Sequence, residues 1–256
     1  MRILRDAAII VVALIALARA AGILWPEGVD FRAYYYADLE HLYTGPWGQD
    51  AFLYSPAFAH ATEPLRWLPF PVALGVWTAL SLGVLVWLAG PWSLPLMLVL
   101  APEWINGNVH LVMAGAVVVG LRYPAAFAFP LLTKLAPGVG VLWFVFRREW
   151  RKAAIATGAT AAIVGISFAL APGLWFDYAR FLVDSIAVGS APQVGGYVPV
   201  PLYVRLPLAV ALLWLVRKPW AVPIACALAM PVLWLSALVA FGLAALTLRR
   251  SGARTA

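Results

Sequence analysis

Charge is scarce in this chain. Lys, Arg, Asp and Glu make up 11% of its 256 residues, against ~25% in an ordinary soluble domain. Too little polar surface remains to cover a water-soluble globule of this size. That sets aside a soluble enzyme, a disordered tail and a nucleic-acid-binding domain. Cysteine is nearly missing. Cys226 stands alone in an apolar stretch, so no intrachain disulfide can form. Only His41, His60 and His110 accompany it, and no Cys/His spacing suggests a zinc site. What is present is apolar: 64% of residues are hydrophobic and the mean hydropathy is +0.89. A spanning helix takes ~20 apolar residues, so the length holds several spans and no large soluble domain. The 13 Trp and 9 Tyr suit membrane interfaces, where rings with one polar edge are favoured. The net charge of +7 then reports Lys/Arg-rich cytoplasmic loops.

Ala7 to Trp25 is an apolar run behind Arg2 and Arg5 and reads as a first span starting in the cytoplasm. The alternative is a cleaved signal peptide, because Ala18-Arg19-Ala20 has the small-x-small shape. Near the outer end of this run, Arg19 is expected to snorkel to headgroups. Residues 26–69 form the one long polar segment, with Glu27, Asp30, Asp38, Glu40, Asp50 and Glu63 against Arg32 and Arg66. An acidic loop after a span that began inside belongs on the outer face. Phe31, Tyr35, Leu39 and Leu42 recur at helical spacing, which predicts an amphipathic interfacial helix over 31–43.

Phe70 to Gly90 is a second span. Beyond Pro91 the apolar runs shorten, over 92–101, 109–121, 123–133 and 137–146, broken by Glu103 to His110, Arg122 and Lys134. Runs of ~10–15 residues reach only ~15–22 Å as helix, short of a ~30 Å hydrocarbon core. They are either four short helices in two hairpins or two long broken helices. Arg147, Arg148, Arg151 and Lys152 form a basic cluster, 153–171 spans outward, 172–200 is a second outer loop, and 201–216 returns to Arg217 and Lys218. Residues 220–248 break at Pro231 and end at Arg249, Arg250 and Arg254. A hairpin there places every basic cluster in the cytoplasm. The expected fold is all-α: one integral membrane domain over 1–256, a polytopic bundle of about eight to ten helical segments, with the extracytoplasmic loop at 26–69.

Ionisable groups at membrane depth are costly and functional by default. The turns carrying Glu103-Trp104-Ile105-Asn106-Gly107-Asn108-Val109-His110 and Thr133-Lys134-Leu135-Ala136-Pro137 fall at outer ends of short helices, on the side of Asp30. Such a depression suits a reaction between a lipid-borne phosphate and a hydroxyl. A Lys ammonium can neutralise a phosphate leaving group, and a carboxylate can take the hydroxyl's proton. Structural alternatives stand beside each role. Asp30 can be a helix N-cap, Asn106-Gly107-Asn108 a plain turn, and Lys134 a snorkelling cation. Tyr34, Tyr35 and Tyr36 can be interface anchors, His110 a satisfied buried imidazole, and Glu63 with Arg66 a solvated pair of little worth. No spacing argues for a metal, although Asp30, Asp38 and Asp50 are placed to bind one weakly.

The order of these features resembles the GT-C class of polytopic glycosyltransferases, and within it glycosyltransferase family 87, the polyprenyl-phosphate-mannose-dependent alpha-mannosyltransferases. The resemblance is carried over 26–152. It rests on Asp30-Phe31-Arg32-Ala33-Tyr34-Tyr35, Leu42-Tyr43-Thr44-Gly45, Tyr54-Ser55-Pro56-Ala57-Phe58, Pro64-Leu65, Leu68-Pro69 and Trp77. Gly107-Asn108-Val109-His110 follows, with Asn108 for the family's usual Gln, then Lys134 with Pro137 and Arg147-Arg148-Glu149-Trp150-Arg151. Later, Met230-Pro231-Val232-Leu233-Trp234 is similar to a Pro-x-x-Trp segment, with Leu235-Ser236 where a His commonly follows.

The resemblance implies that Asp30 is a general base. It would deprotonate an acceptor hydroxyl that attacks the anomeric carbon of a lipid-phosphate-linked sugar, with inversion and departure of polyprenyl phosphate. Lys134 would hold the phosphate, with Arg66 or Arg205 as weaker candidates. Tyr34, Tyr35, Tyr54, Asn106, Asn108 and His110 would contact substrate. The donor would be a polyprenyl-phosphate sugar, mannose first, and the acceptor a glycolipid, glycan or protein. No cofactor and no nucleic acid enter. The location would be the plasma membrane, with the N-terminus cytoplasmic and the active face outside. The competing reading is a non-enzymatic polyprenyl-lipid binder, flippase or transporter, since transporters also use discontinuous helices.

Overall fold

The computed structural model describes residues 2–24, 27–43, 51–188 and 197–252. Trp25, Gly45, Asp50 and Arg254, named above, lie outside these. Among the described residues the architecture is helical, with no strand beyond an isolated bridge between Tyr197 and Trp234. Two helical stretches, Phe70–Val99 and Trp150–Leu170, are long and apolar enough to cross a membrane. The chain divides into two compact units, residues 1–109 with 163–191, and residues 110–162 with 192–256.

In the first unit, α1 (Arg2–Ala20) packs along α4 (Phe70–Ala89). Their approach depends on a missing side chain. A Cβ on Gly75 would stand 2.8 Å from the Ala16 carbonyl oxygen and 2.8 Å from the Ala20 Cβ. Between them come α2 (Val29–Tyr35), α3 (Pro56–Thr62) and a 3₁₀ turn, Glu63–Trp67. α3 begins with Ser55 as N-cap, its hydroxyl accepting from Phe58 N at 3.3 Å, and with Pro56 in the first turn, where its missing N–H costs nothing. α4 runs on through a 3₁₀ turn into α5 (Ser93–Val99), and α6 (Ala101–Asn106) ends the stretch.

Two departures from the sequence reading fall here. The predicted helix over 31–43 stops at Tyr35. Asp38 accepts from Glu40 N at 3.0 Å and pairs with His41 at 3.1 Å, turning the backbone away from the helical path. The segment read as a second outer loop carries α11 (Pro172–Val188), whose Leu174 and Tyr178 bury one face.

The second unit holds α7 (His110–Gly120), α8 (Ala128–Thr133), α9 (Leu142–Phe146), α12 (Leu202–Leu215), α13 (Ala221–Leu228) and α14 (Leu235–Gly252). Short 3₁₀ segments, Pro124–Phe127 and Ala136–Val141, precede α8 and α9. The runs at 109–121, 123–133 and 137–146 are therefore separate short helical segments, cut where Pro and Gly fall, while the run at 92–101 continues the Phe70–Val99 stretch. The break at Pro231 separates α13 from α14 as expected. Phe127 and Phe144 meet edge to face at 5.6 Å. Gly140 lets Phe127 and Cys226 close in, since a Cβ there would sit 2.6 Å from the Phe127 ring and 2.9 Å from Cys226 Sγ. Cys226 is a buried small hydrophobe with a free thiol. α10 (Trp150–Leu170) runs from the second unit into the first, and its Ile155, Ile163, Ile166 and Leu170 are exposed. A helix so apolar and so little covered by protein is suited to a lipid surrounding.

Candidate active site

α2 places Asp30. Its N-cap is Gly28, left-handed at φ +46 and making no side-chain cap bond, so Asp30 is not the cap. It lies in the first helical turn, where a carboxylate is favoured by the helix dipole. Its partner comes from far along the chain. Asn108 Nδ2 donates to Asp30 Oδ2 at 2.9 Å. The orientation of that amide is fixed, because Asn108 Oδ1 accepts from Val109 N at 2.7 Å. The amide therefore presents N–H to the carboxylate.

The turn holding Asn108 is itself pinned. Asn108 N donates to Glu103 O at 2.8 Å, and Trp77 Nε1 donates to Gly107 O at 2.8 Å. Gly107 ends α6 in the left-handed region at φ +71, and a Cβ there would stand 2.6 Å from Phe31 Cβ. Both conditions demand glycine. Gly107→Ala is expected to destabilise the protein by about 1–3 kcal/mol by pushing α2 off the Asn108 turn. Thermal melting of the purified variant checks this.

The tyrosines behave unequally. Tyr34 and Tyr54 are buried and share a hydrogen bond between hydroxyls at 3.0 Å. Burial first, then the Tyr54 phenol and the charges of Asp30 and Glu103, raises the Tyr34 phenol well above its ordinary range; burial first, then Asp30 and Glu103, raises Tyr54 against the opposing effect of its bond with Tyr34, so both stay protonated. Tyr34 also packs against Phe58 and Trp77 at 5.2 and 5.6 Å. Tyr35 turns elsewhere, donating to Leu68 O at 2.7 Å, and Tyr36 is exposed. Arg66 is exposed and donates to Ala37 O at 3.1 Å. Asn106 is half-buried at the end of α6.

Two residues gained weight that sequence reasoning had not given them. Glu103 is 1% exposed, and its charge reaches the Tyr34–Tyr54 pair. Arg19 is 3% exposed. It does not snorkel: its guanidinium donates to Trp104 O at 2.7 Å, Ile105 O at 2.8 Å and Thr78 Oγ1 at 3.2 Å. An interrupting Arg in an apolar run was the available signal.

In the second unit, His110 is fully buried at the start of α7, and Lys134 follows α8 in an extended conformation. Lys134 Nζ lies 2.9 Å from His110 Nε2. The two side chains are within hydrogen-bonding distance, and the imidazole tautomer sets which of them donates. Arg205 is buried, and its guanidinium donates to four main-chain carbonyls: Val200 at 2.6 Å, Leu228 and Met230 at 2.7 Å, and Pro231 at 3.0 Å.

An apolar helical chain that carries a carboxylate held by an amide fits the class of membrane-embedded transferases. The sequence profile of glycosyltransferase family 87 matches residues 52–255, and the chain belongs to that family. The match reaches well past 152, beyond the stretch 26–152 that carries the resemblance, and it begins after Asp30. No curated protein and no solved structure matches the chain. The protein is thus a membrane glycosyltransferase acting on a sugar donor and an acceptor.

Proposed function

We propose that this glycosyltransferase moves a sugar, mannose first, from a polyprenyl-phosphate donor to an acceptor hydroxyl at the extracytoplasmic face of the plasma membrane, with inversion. The observation that carries the reading is the 2.9 Å bond from the Asn108 amide to the Asp30 carboxylate. It fixes the direction of the carboxylate, as a general base requires. Asp30 takes the proton of the acceptor hydroxyl as that oxygen bonds to the anomeric carbon. The bond between the anomeric carbon and the phosphate oxygen breaks, and its electron pair leaves with polyprenyl phosphate. The family resemblance gives Lys134 the role of offsetting the charge that gathers on the leaving phosphate. Arg66 and Arg205 both donate to main-chain carbonyls, which favours Lys134 for this role. The phenols of Tyr34 and Tyr54, kept protonated, are hydrogen-bonding groups suited to sugar hydroxyls.

The test is sugar transfer by purified protein given polyprenyl-phosphate-mannose or a nucleotide-activated mannose. Transfer from the lipid donor alone supports the reading, and transfer from the nucleotide sugar alone defeats it. Donor binding without transfer to any acceptor would favour the lipid-binder alternative. Lys134→Ala is expected to raise the donor KM by about 10- to 100-fold, the worth of one charged hydrogen bond. An unchanged KM would remove Lys134 from the phosphate site.

A further inference from the structure

We propose that Arg19 is a positioning residue for the base: it holds the segment to which both attachments of Asp30 run. The proposal rests on the reading of Asp30 as general base. The first attachment is through the backbone. Gly28 N, two residues before Asp30, donates to Ile105 O at 3.2 Å. The second is through the side chain, from Asn108 Nδ2 at 2.9 Å. Both therefore end on residues 105–108. Arg19 grips the start of that segment. Its two terminal nitrogens take the Trp104 and Ile105 carbonyls at 2.7 and 2.8 Å, so Ile105 O is shared between Arg19 and Gly28.

These are end carbonyls of a six-residue helix, α6, and a helix leaves its last carbonyls without internal partners. A guanidinium satisfies two at once and complements the negative end of the helix. Arg19 is itself oriented. Thr78 Oγ1 gives its proton to Leu74 O at 2.8 Å and so offers Arg19 a lone pair at 3.2 Å. The close approach of α1 to α4 at Gly75 brings Arg19 into reach. The chain thus connects α1, α4, α6, the Asn108 amide and the Asp30 carboxylate through named hydrogen bonds.

Arg19→Lys tests the fork rather than the charge, since an ammonium is a point donor that cannot bridge two carbonyls in one plane. In the full-length chain it is expected to lower kcat by about 10- to 100-fold, the cost of a misplaced catalytic group, with the donor KM within about twofold of wild type. Combined with Asn108→Ala, the loss is expected to be less than the product of the single losses, because both act through Asp30. Wild-type kcat in Arg19→Lys while Asp30→Asn loses transfer overturns the positioning role and leaves the base intact. Wild-type transfer by Asp30→Asn overturns both. If Arg19→Lys does not fold, Thr78→Val decides. A fall in kcat at constant KM supports the proposal, and unchanged kcat overturns it.

Discussion

Asp30→Asn is expected to lower kcat by about 1,000-fold, within the range of a general base, and to leave the donor KM nearly unchanged. The substitution is close to isosteric. The new carboxamide oxygen can still accept from Asn108 Nδ2, so the 2.9 Å contact and with it the α2 geometry are retained. What is lost is the ability to take a proton. A thousandfold change is about 4 kcal/mol of barrier, more than a packing defect at a half-buried position supplies. A loss confined to kcat would identify the group as acting in the transition state only. Initial rates at saturating donor and acceptor, with a melting curve for each protein, separate chemistry from unfolding. A rate within about threefold of wild type, far inside the expected base contribution, would remove Asp30 from the proton-transfer step.

Helix existence was the legible part of this chain. Apolar runs bounded by Pro, Gly and charge gave α4, α7, α12 and the break between α13 and α14 nearly at their observed limits. Local rules suffice there, because apolar length and helix-breaking residues act within a few positions. The failures are also local in appearance and non-local in cause. The spacing over 31–43 was helical, yet Asp38 uses its carboxylate to turn the chain. Arg19 sat where a snorkelling cation would sit. Its inward direction depends on Gly75 lacking a side chain and on the carbonyls of Trp104 and Ile105.

The candidate residues were legible as types and not as pairs. Asp30, Asn108, His110 and Lys134 were singled out from their cost in an apolar chain and from the family pattern. The chain has two asparagines, and both fall in one turn, which marks that turn without saying what it holds. The Asp30–Asn108 bond crosses 78 positions, and no periodicity encodes such a pairing. Arg205 carries a partner set that the sequence did not show. A buried Arg in a membrane glycosyltransferase invites a phosphate, while this one donates to the main-chain carbonyls of Val200, Leu228, Met230 and Pro231.

Arg205→Leu is therefore expected to destabilise the protein rather than to weaken donor binding. Pro231 has no N–H, so the helix that ends at Leu228 cannot continue through it. The carbonyls of Leu228, Met230 and Pro231 are consequently left without helical partners, and Arg205 supplies them, together with Val200 O, from four of its five N–H groups. A single unmade buried hydrogen bond costs about 1–3 kcal/mol. With some relief from water or headgroups, four of them place the loss at about 4 kcal/mol, among the larger single-residue effects. For a chain of this size that is a fall in Tm of about 10 °C, measurable in detergent by intrinsic Trp fluorescence. Arg205→Lys should fall between wild type and Arg205→Leu, since an ammonium carries three donors. The opposite pattern would assign the guanidinium to the substrate: Arg205→Leu with an unchanged Tm and a raised donor KM, which requires that the four carbonyls do not depend on it.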